Sequence, residues 1–194
     1  MTKLTNSKSL TLAAVLLAAI FLGGCSVRER KDSSGKEKDV DITTPFGSLS
    51  VHKGNSDIKA TGLPLYPGSR SHNDGDDHDA NANVNISSSM FGVKVVAQKY
   101  ESDDAPDKVL AFYQKQMDKF GNVIQCGSGL DINFHSHNHD DDSPVTCEGS
   151  GHEYDKALKA GTQKNQHIVA VKSSGKGSTF AVVYVRAWDS RDTI

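Results

Sequence analysis

Residues 90–121 read MFGVKVVAQKYESDDAPDKVLAFYQKQMDKFG, and the way this stretch divides decides the fold. Its first part, 90–100, is dense in β-branched and aromatic residues and reads as a strand. The composition then switches. Asp103, Asp104 and Pro106 gather where a helix N-terminus favours negative charge and accepts proline, and Gly121 closes the run. Val109, Leu110, Tyr113, Met117 and Phe120 recur between them at helical spacing, which predicts one apolar helix face turned to a core, with Met117 as filler.

Downstream of the helix the signals are of strands. NVIQC (122–126), LDINF (130–134), PVTCEG (144–149), QHIVAVKS (166–173) and STFAVVYVRAW (178–188) are short strand candidates between Gly, Ser and Asp turns. The last two flank SGKG and predict a hairpin. YDKALKAG (154–161) reads equally as a short helix or a distorted connection. Upstream, DITTPFGSLSVHKG (41–54) predicts a hairpin through Ile42, Phe46, Leu49 and Val51. GLPLYPGSR (62–70), with two prolines, predicts an extended segment laid over the core through Leu63, Leu65 and Tyr66. The expected fold class is α+β, an antiparallel sheet with one main amphipathic helix packed on a face. It occupies a single domain, 40–194, with polar loops at 70–85 and 135–144.

The N-terminus gives the clearest address. MTKLTNSK supplies a basic start and 10–22 an uncharged apolar run too short for a hydrocarbon layer of about 30 Å. Leu22-Gly23-Gly24-Cys25 follows, and it resembles the lipobox of bacterial lipoproteins. That resemblance implies that 1–24 are a signal peptide, removed on export. It also implies that Cys25 becomes the first residue, with diacylglycerol on its sulfur and a fatty acyl chain such as palmitate on its amine. Two or more chains give stable anchoring. The implied location is the cell membrane or outer membrane, with the domain facing the periplasm or exterior. Ser26 stands where an aspartate resembles an inner-membrane retention signal in enteric bacteria, which leans toward the outer membrane. Residues 25–39 are charged, with little to bury, and read as a disordered tether.

With 194 residues, 36% of them apolar, the chain supports one modest core. A formal charge of −2, which becomes more negative once Lys3 and Lys8 are set aside, argues against a nucleic-acid partner. Cys126 and Cys147 are an even pair in an exported chain, and their default is a disulfide contributing about 3 kcal/mol. C-x-x-C, the redox signature, is absent from the sequence.

Between those cysteines lies HSHNHDDD (135–142). Leu130, Ile132 and Phe134 alternate with polar residues, so His135 and His137 fall on one exposed strand face. His139 and Asp141 complete a donor set of the kind that takes Zn or Cu. The competing reading is a wet hairpin tip, for which Asn, Asp, Ser and Pro are the ordinary residues. His72 and His78 sit in a second acidic loop, whereas His52, His152 and His167 are isolated and read as structural or surface residues. No H-E-x-x-H or G-x-S-x-G occurs, and GKGST (175–179) has the wrong order for a phosphate loop.

The wider pattern resembles small exported bacterial proteins of uncharacterised families. It rests on Tyr66-Pro67-Gly68, the strand ending at Tyr100, Asp104 to Pro106, and Phe112-Tyr113. It implies no catalytic residue. The function expected is a non-enzymatic, membrane-anchored envelope module that meets lipid through its acyl anchor and an unknown envelope protein through its surface. Transition-metal binding by the 135–142 loop is the alternative, and an uncharacterised hydrolase the third.

Overall fold

The structure is a computed structural model, and it describes residues 25–31, 37–53, 58–72, 81–127, 143–147 and 153–189. Among these residues ten strands form one sheet: β1 (Ser26–Lys31), β2 (Glu37–Thr44), β3 (Gly47–Lys53), β4 (Arg70–Ser71), β5 (Ala82–Ser88), β6 (Phe91–Ser102), β7 (Ile124–Cys126), β8 (Lys156–Thr162), β9 (Asn165–Ser174) and β10 (Gly177–Asp189). Their order is β1-β2-β3-β5-β6-β10-β9-β8-β7. Every pairing is antiparallel. β4 and β5 share one edge of β6, with β5 on Gly92–Ala97 and β4 on Tyr100–Glu101. Among the described residues a single α-helix, α1 (Pro106–Met117), leaves the end of β6, and 3-10 turns cover Ile58–Thr61 and Asp118–Phe120.

The long strands form where the sequence is densest in β-branched and aromatic residues. β10 reads GSTFAVVYVRAWD and pairs along its length with β6 on one side and β9 on the other. Because successive side chains point to opposite faces, Phe180 and Val182 go to one side while Ala181, Val183 and Val185 go to the other. Both sets are buried. On the first side α1 contributes Val109, Leu110, Tyr113 and Met117, which pack with Leu158, Val169, Val171, Phe180, Val182 and the segment residues Leu63 and Tyr66. On the second side Ile168, Ala181, Val183 and Val185 pack with Val95, Ala97 and Tyr154. Each fully buried side chain of this size contributes about 1.5–3 kcal/mol. The core therefore sits on β6, β10, β9 and β8.

The expected α+β class is corrected. Strand dominates the described residues and the only helix there spans 12, so this is an antiparallel β fold with one short helical cover. Three segments account for the difference. The polar loop expected at 70–85 supplies β4 at its start and the first part of β5 at its end. Residues 154–161, undecided in sequence, supply β8, whose Lys-Ala-Leu-Lys-Ala spacing mimics a helix. The charged segment expected as a tether over 25–39 supplies β1 and the first part of β2, paired from Ser26↔Thr43 to Lys31↔Glu37. Backbone pairing to a neighbouring strand does not require apolar side chains, and charge is what an edge strand uses to blunt its open side.

Other expectations hold. The 41–54 hairpin is β2–β3 and the 166–188 hairpin is β9–β10, turning at Gly175 with φ +59°. Leu63 and Tyr66 are buried as expected, whereas Leu65 faces solvent. Within PVTCEG the described residues 144–147 form only a bridge, Pro144 to Thr162. LDINF and the signal segment 1–24 lie outside the described residues.

Candidate interaction surface

The pairings align one residue from each of six neighbouring strands. Ser26 pairs with Thr43, Thr43 with Ser48, Ser48 with Ser87, Ser87 with Gly92, and Gly92 with Trp188. Everything beyond this row forms one end of the sheet. Cys25 stands there, exposed and immediately before β1. So do the β2–β3 turn with Phe46 and the β5–β6 turn with Met90 and Phe91. Phe46 is 84% exposed, Met90 69% and Phe91 50%. The turns are built locally: Thr44 Oγ1 donates to the Gly47 carbonyl and accepts from the Phe46 N–H, and Ser88 Oγ accepts from the N–H groups of Met90 and Phe91. Trp188 lies flat over Gly92, where a Cβ would fall 2.1 Å from the indole carbons, so only glycine admits the ring.

The apolar face behind this end is also open. By register Val27, Ile42, Leu49, Ile86 and Val93 share the face that carries Val95 and Val183. Val27 is 60% and Ile86 37% exposed. The reverse face of β1, β2, β3 and β5 is polar, with a Ser48–Ser87 hydroxyl contact of 2.9 Å and His52 Nε2 3.7 Å from Asp41.

At the other end of β6 the elements of the sequence resemblance meet. Tyr66 donates its hydroxyl to Asp104 (2.9 Å), Lys108 Nζ donates to the same carboxylate (2.8 Å), and Ser178 Oγ donates to the Asp104 carbonyl (2.9 Å). The Tyr66 ring meets Phe112 edge-on at 5.2 Å and Phe180 at 6.1 Å, and Tyr100 lies against Phe180 at 5.6 Å. Lys108 and Tyr66 hold the Asp104 carboxyl below its ordinary range, and burial raises the Tyr66 hydroxyl. This cluster clamps the 62–70 segment onto the start of α1. Burial, the largest influence on it, also raises Tyr113.

His72 Nδ1 lies 3.1 Å from Glu101, which also receives Arg70, and Arg70 reaches Asp103 at 3.1 Å. The His72 contact, then Arg70, lowers the Glu101 carboxyl. His167 is buried; its Nδ1 is 2.9 Å from the Thr61 carbonyl, to which the N–H donates, and its ring stacks on Phe120 at 3.5 Å. Burial lowers its pKa, so the ring stays neutral, in keeping with a structural role.

Cys126 and Cys147 form the disulfide, with Cα atoms 5.4 Å apart. It fixes both ends of the intervening segment. His135, His137, His139 and Asp141 all fall within 128–142, outside the described residues. Among the described residues no three His, Cys, Asp or Glu side chains group as a metal site, and no helix is long and apolar enough to cross a membrane. Sequence reading missed Met90, Phe91 and Trp188 as surface elements and took Phe46 for a strand residue. An aromatic inside Pro45-Phe46-Gly47, and Met-Phe directly after three serines, were the available signals. Comparison with known protein families, curated proteins and solved structures finds no match for this chain.

Proposed function

We propose that this chain is a cell-envelope lipoprotein, acylated at Cys25 and exported, whose disulfide-stapled β domain serves as a non-enzymatic interaction module on the membrane. The observation that carries the reading is the tripartite N-terminal segment ending in Leu22-Gly23-Gly24-Cys25. The Cys126–Cys147 disulfide supports export, because such bonds persist in oxidising compartments. The open apolar face of the β1, β2, β3 and β5 ribbon supports interaction rather than catalysis, as contiguous exposed apolar surface marks contact sites. The test is expression of the full chain with labelled palmitate, followed by fractionation and intact mass. Wild type carries label and sediments with membranes; Cys25→Ser carries none. Unlabelled wild type free in the medium, or a first peptide still beginning at Met1, contradicts the reading.

The second reading is Zn or Cu binding by His135, His137, His139 and Asp141, favoured by their alternation within a segment whose ends the disulfide holds. Calorimetric titration of either metal into chelator-treated protein tests it. Saturable binding lost in a His135→Ala/His137→Ala/His139→Ala variant supports this reading, and identical traces retire it.

A further inference from the structure

The order of the row Ser26, Thr43, Ser48, Ser87, Gly92 and Trp188 bears on how the domain sits at its anchor. Between β1 and β10 lie five strand intervals of about 4.8 Å, so Cys25 and Trp188 stand roughly 25 Å apart along one rim. Between them project Phe46, Met90 and Phe91, each at least half exposed. Large apolar side chains on adjacent turns cost solubility in water, yet they suit a bilayer interface, where tryptophan also prefers to sit.

Charge is arranged to match. Two residues inward by register, on the Trp188 face, the next row contains Arg28, Lys94 and Arg186, with Asp41 as its one acid. At about 3.3 Å per residue this places three cations roughly 7 Å behind the rim, at the depth of lipid phosphates if the rim enters the acyl boundary. Asp189, the acid at the rim, is neutralised by Lys164 at 3.2 Å. The strand beginning at Ser26 leaves no slack after Cys25: a chain held by that sulfur brings this end of the sheet to the membrane before any other.

We propose that the rim carrying Phe46, Met90, Phe91 and Trp188 inserts into the lipid bilayer beside the acylated Cys25, so that the domain stands docked on the membrane rather than hanging from a tether. The inference rests on acylation of Cys25 for its anchor, but the rim's affinity for lipid is a property of its own side chains. The bilayer fits this rim better than a protein partner does, because the apolar row, the cations behind it and the anchor point all share one edge.

Trp188 is the sole tryptophan and reports from the rim itself. The full acylated chain is reconstituted into phosphatidylethanolamine and phosphatidylglycerol vesicles, with and without brominated acyl chains. Trp188 emission is expected to fall about two-fold with bromolipid, as for an indole at the interface. A Phe46→Ser/Met90→Ser/Phe91→Ser variant should float equally well with the vesicles yet lose most of the quenching. Thermal melting checks that it is folded, and Phe46→Ser alone, at the most exposed position, gives a smaller loss in the same direction. Wild type that floats with vesicles while its emission ignores bromine overturns the proposal. The same measurement on Cys25→Ser at high lipid separates the two claims. If intact mass finds wild-type Cys25 without lipid, the anchor reading fails by itself; quenching of Cys25→Ser then retains the docking rim and its absence removes it.

Discussion

The sheet has two halves that differ in sequence pattern and in what covers them. In β10, β9 and β8 the central residues of both faces are buried, Phe180 and Val182 on one side and Val183 and Val185 on the other, and β6 is buried on the helix side. In β1, β2, β3 and β5 one face is polar and the other apolar but only half covered, with Val27 and Ile86 open to solvent. Polar–apolar alternation marks the ribbon and unbroken apolar runs mark the covered strands, so burial of the second face separates scaffold from surface. The covered half supplies stability, and the ribbon, freed from that role, presents apolar groups outward.

The sharpest way to break this comparison is to truncate an aromatic in each half. Phe180→Ala should destabilise by about 3–5 kcal/mol, the usual cost of an emptied aromatic site in a core, while Phe46→Ala should fall within about 0.5 kcal/mol of wild type. Urea denaturation measures both, and equal costs would dissolve the distinction. Next in size, replacing Cys126 and Cys147 by Ser should lower stability by about 3 kcal/mol, through the longer reach of the unfolded chain, without altering the ribbon. Melting under oxidising and reducing conditions checks it, with the variant matching reduced wild type. Gly92→Val acts at the junction of the halves. Its Cβ would meet the Trp188 indole at 2.1 Å, so the ring must leave, at about 1–3 kcal/mol and with a red shift of its emission.

The smallest effect is pH-dependent and belongs to the covered half. His167 has its pKa depressed by burial, so the unfolded chain binds this proton more readily than the folded one. Its contribution is complete above the ordinary histidine value of 6.5 and is lost as pH falls below that point. Melting temperatures taken from pH 7.5 downward should decline more steeply in wild type than in His167→Phe, which keeps the stack on Phe120 but cannot titrate. Parallel declines would remove His167 from the account.

Much of the covered half was legible in the sequence, and for a physical reason. The 178–188 run is apolar without interruption from Phe180 to Val185 and SGKG turns it back on 166–173, so local signals and tertiary pairing agree. The helix was legible from Pro106 to Met117 by its stripe, though its weight in the fold was not: twelve residues cover part of a sheet that the ribbon extends by four strands. β8 was hidden because Lys159, a residue sequence reasoning places in water, is buried and donates to the Thr146 carbonyl at 3.0 Å. β1 was hidden because Arg28, Glu29 and Arg30 argue for solvation, and only its pairing with β2 says otherwise. The rim was illegible for another reason. Cys25, Phe46, Met90, Phe91 and Trp188 are spread over most of the chain, and strand order alone brings them to one edge.

Native-state hydrogen exchange of the full acylated chain, resolved by strand and run with and without vesicles, tests the division of labour most directly. Amides of β6, β9 and β10 are expected to exchange only by global unfolding and those of β1 to β3 through a cheaper local opening, with vesicles slowing exchange at the Phe46 and Met90 turns alone. Uniform protection across all strands, unmoved by lipid, would contradict it.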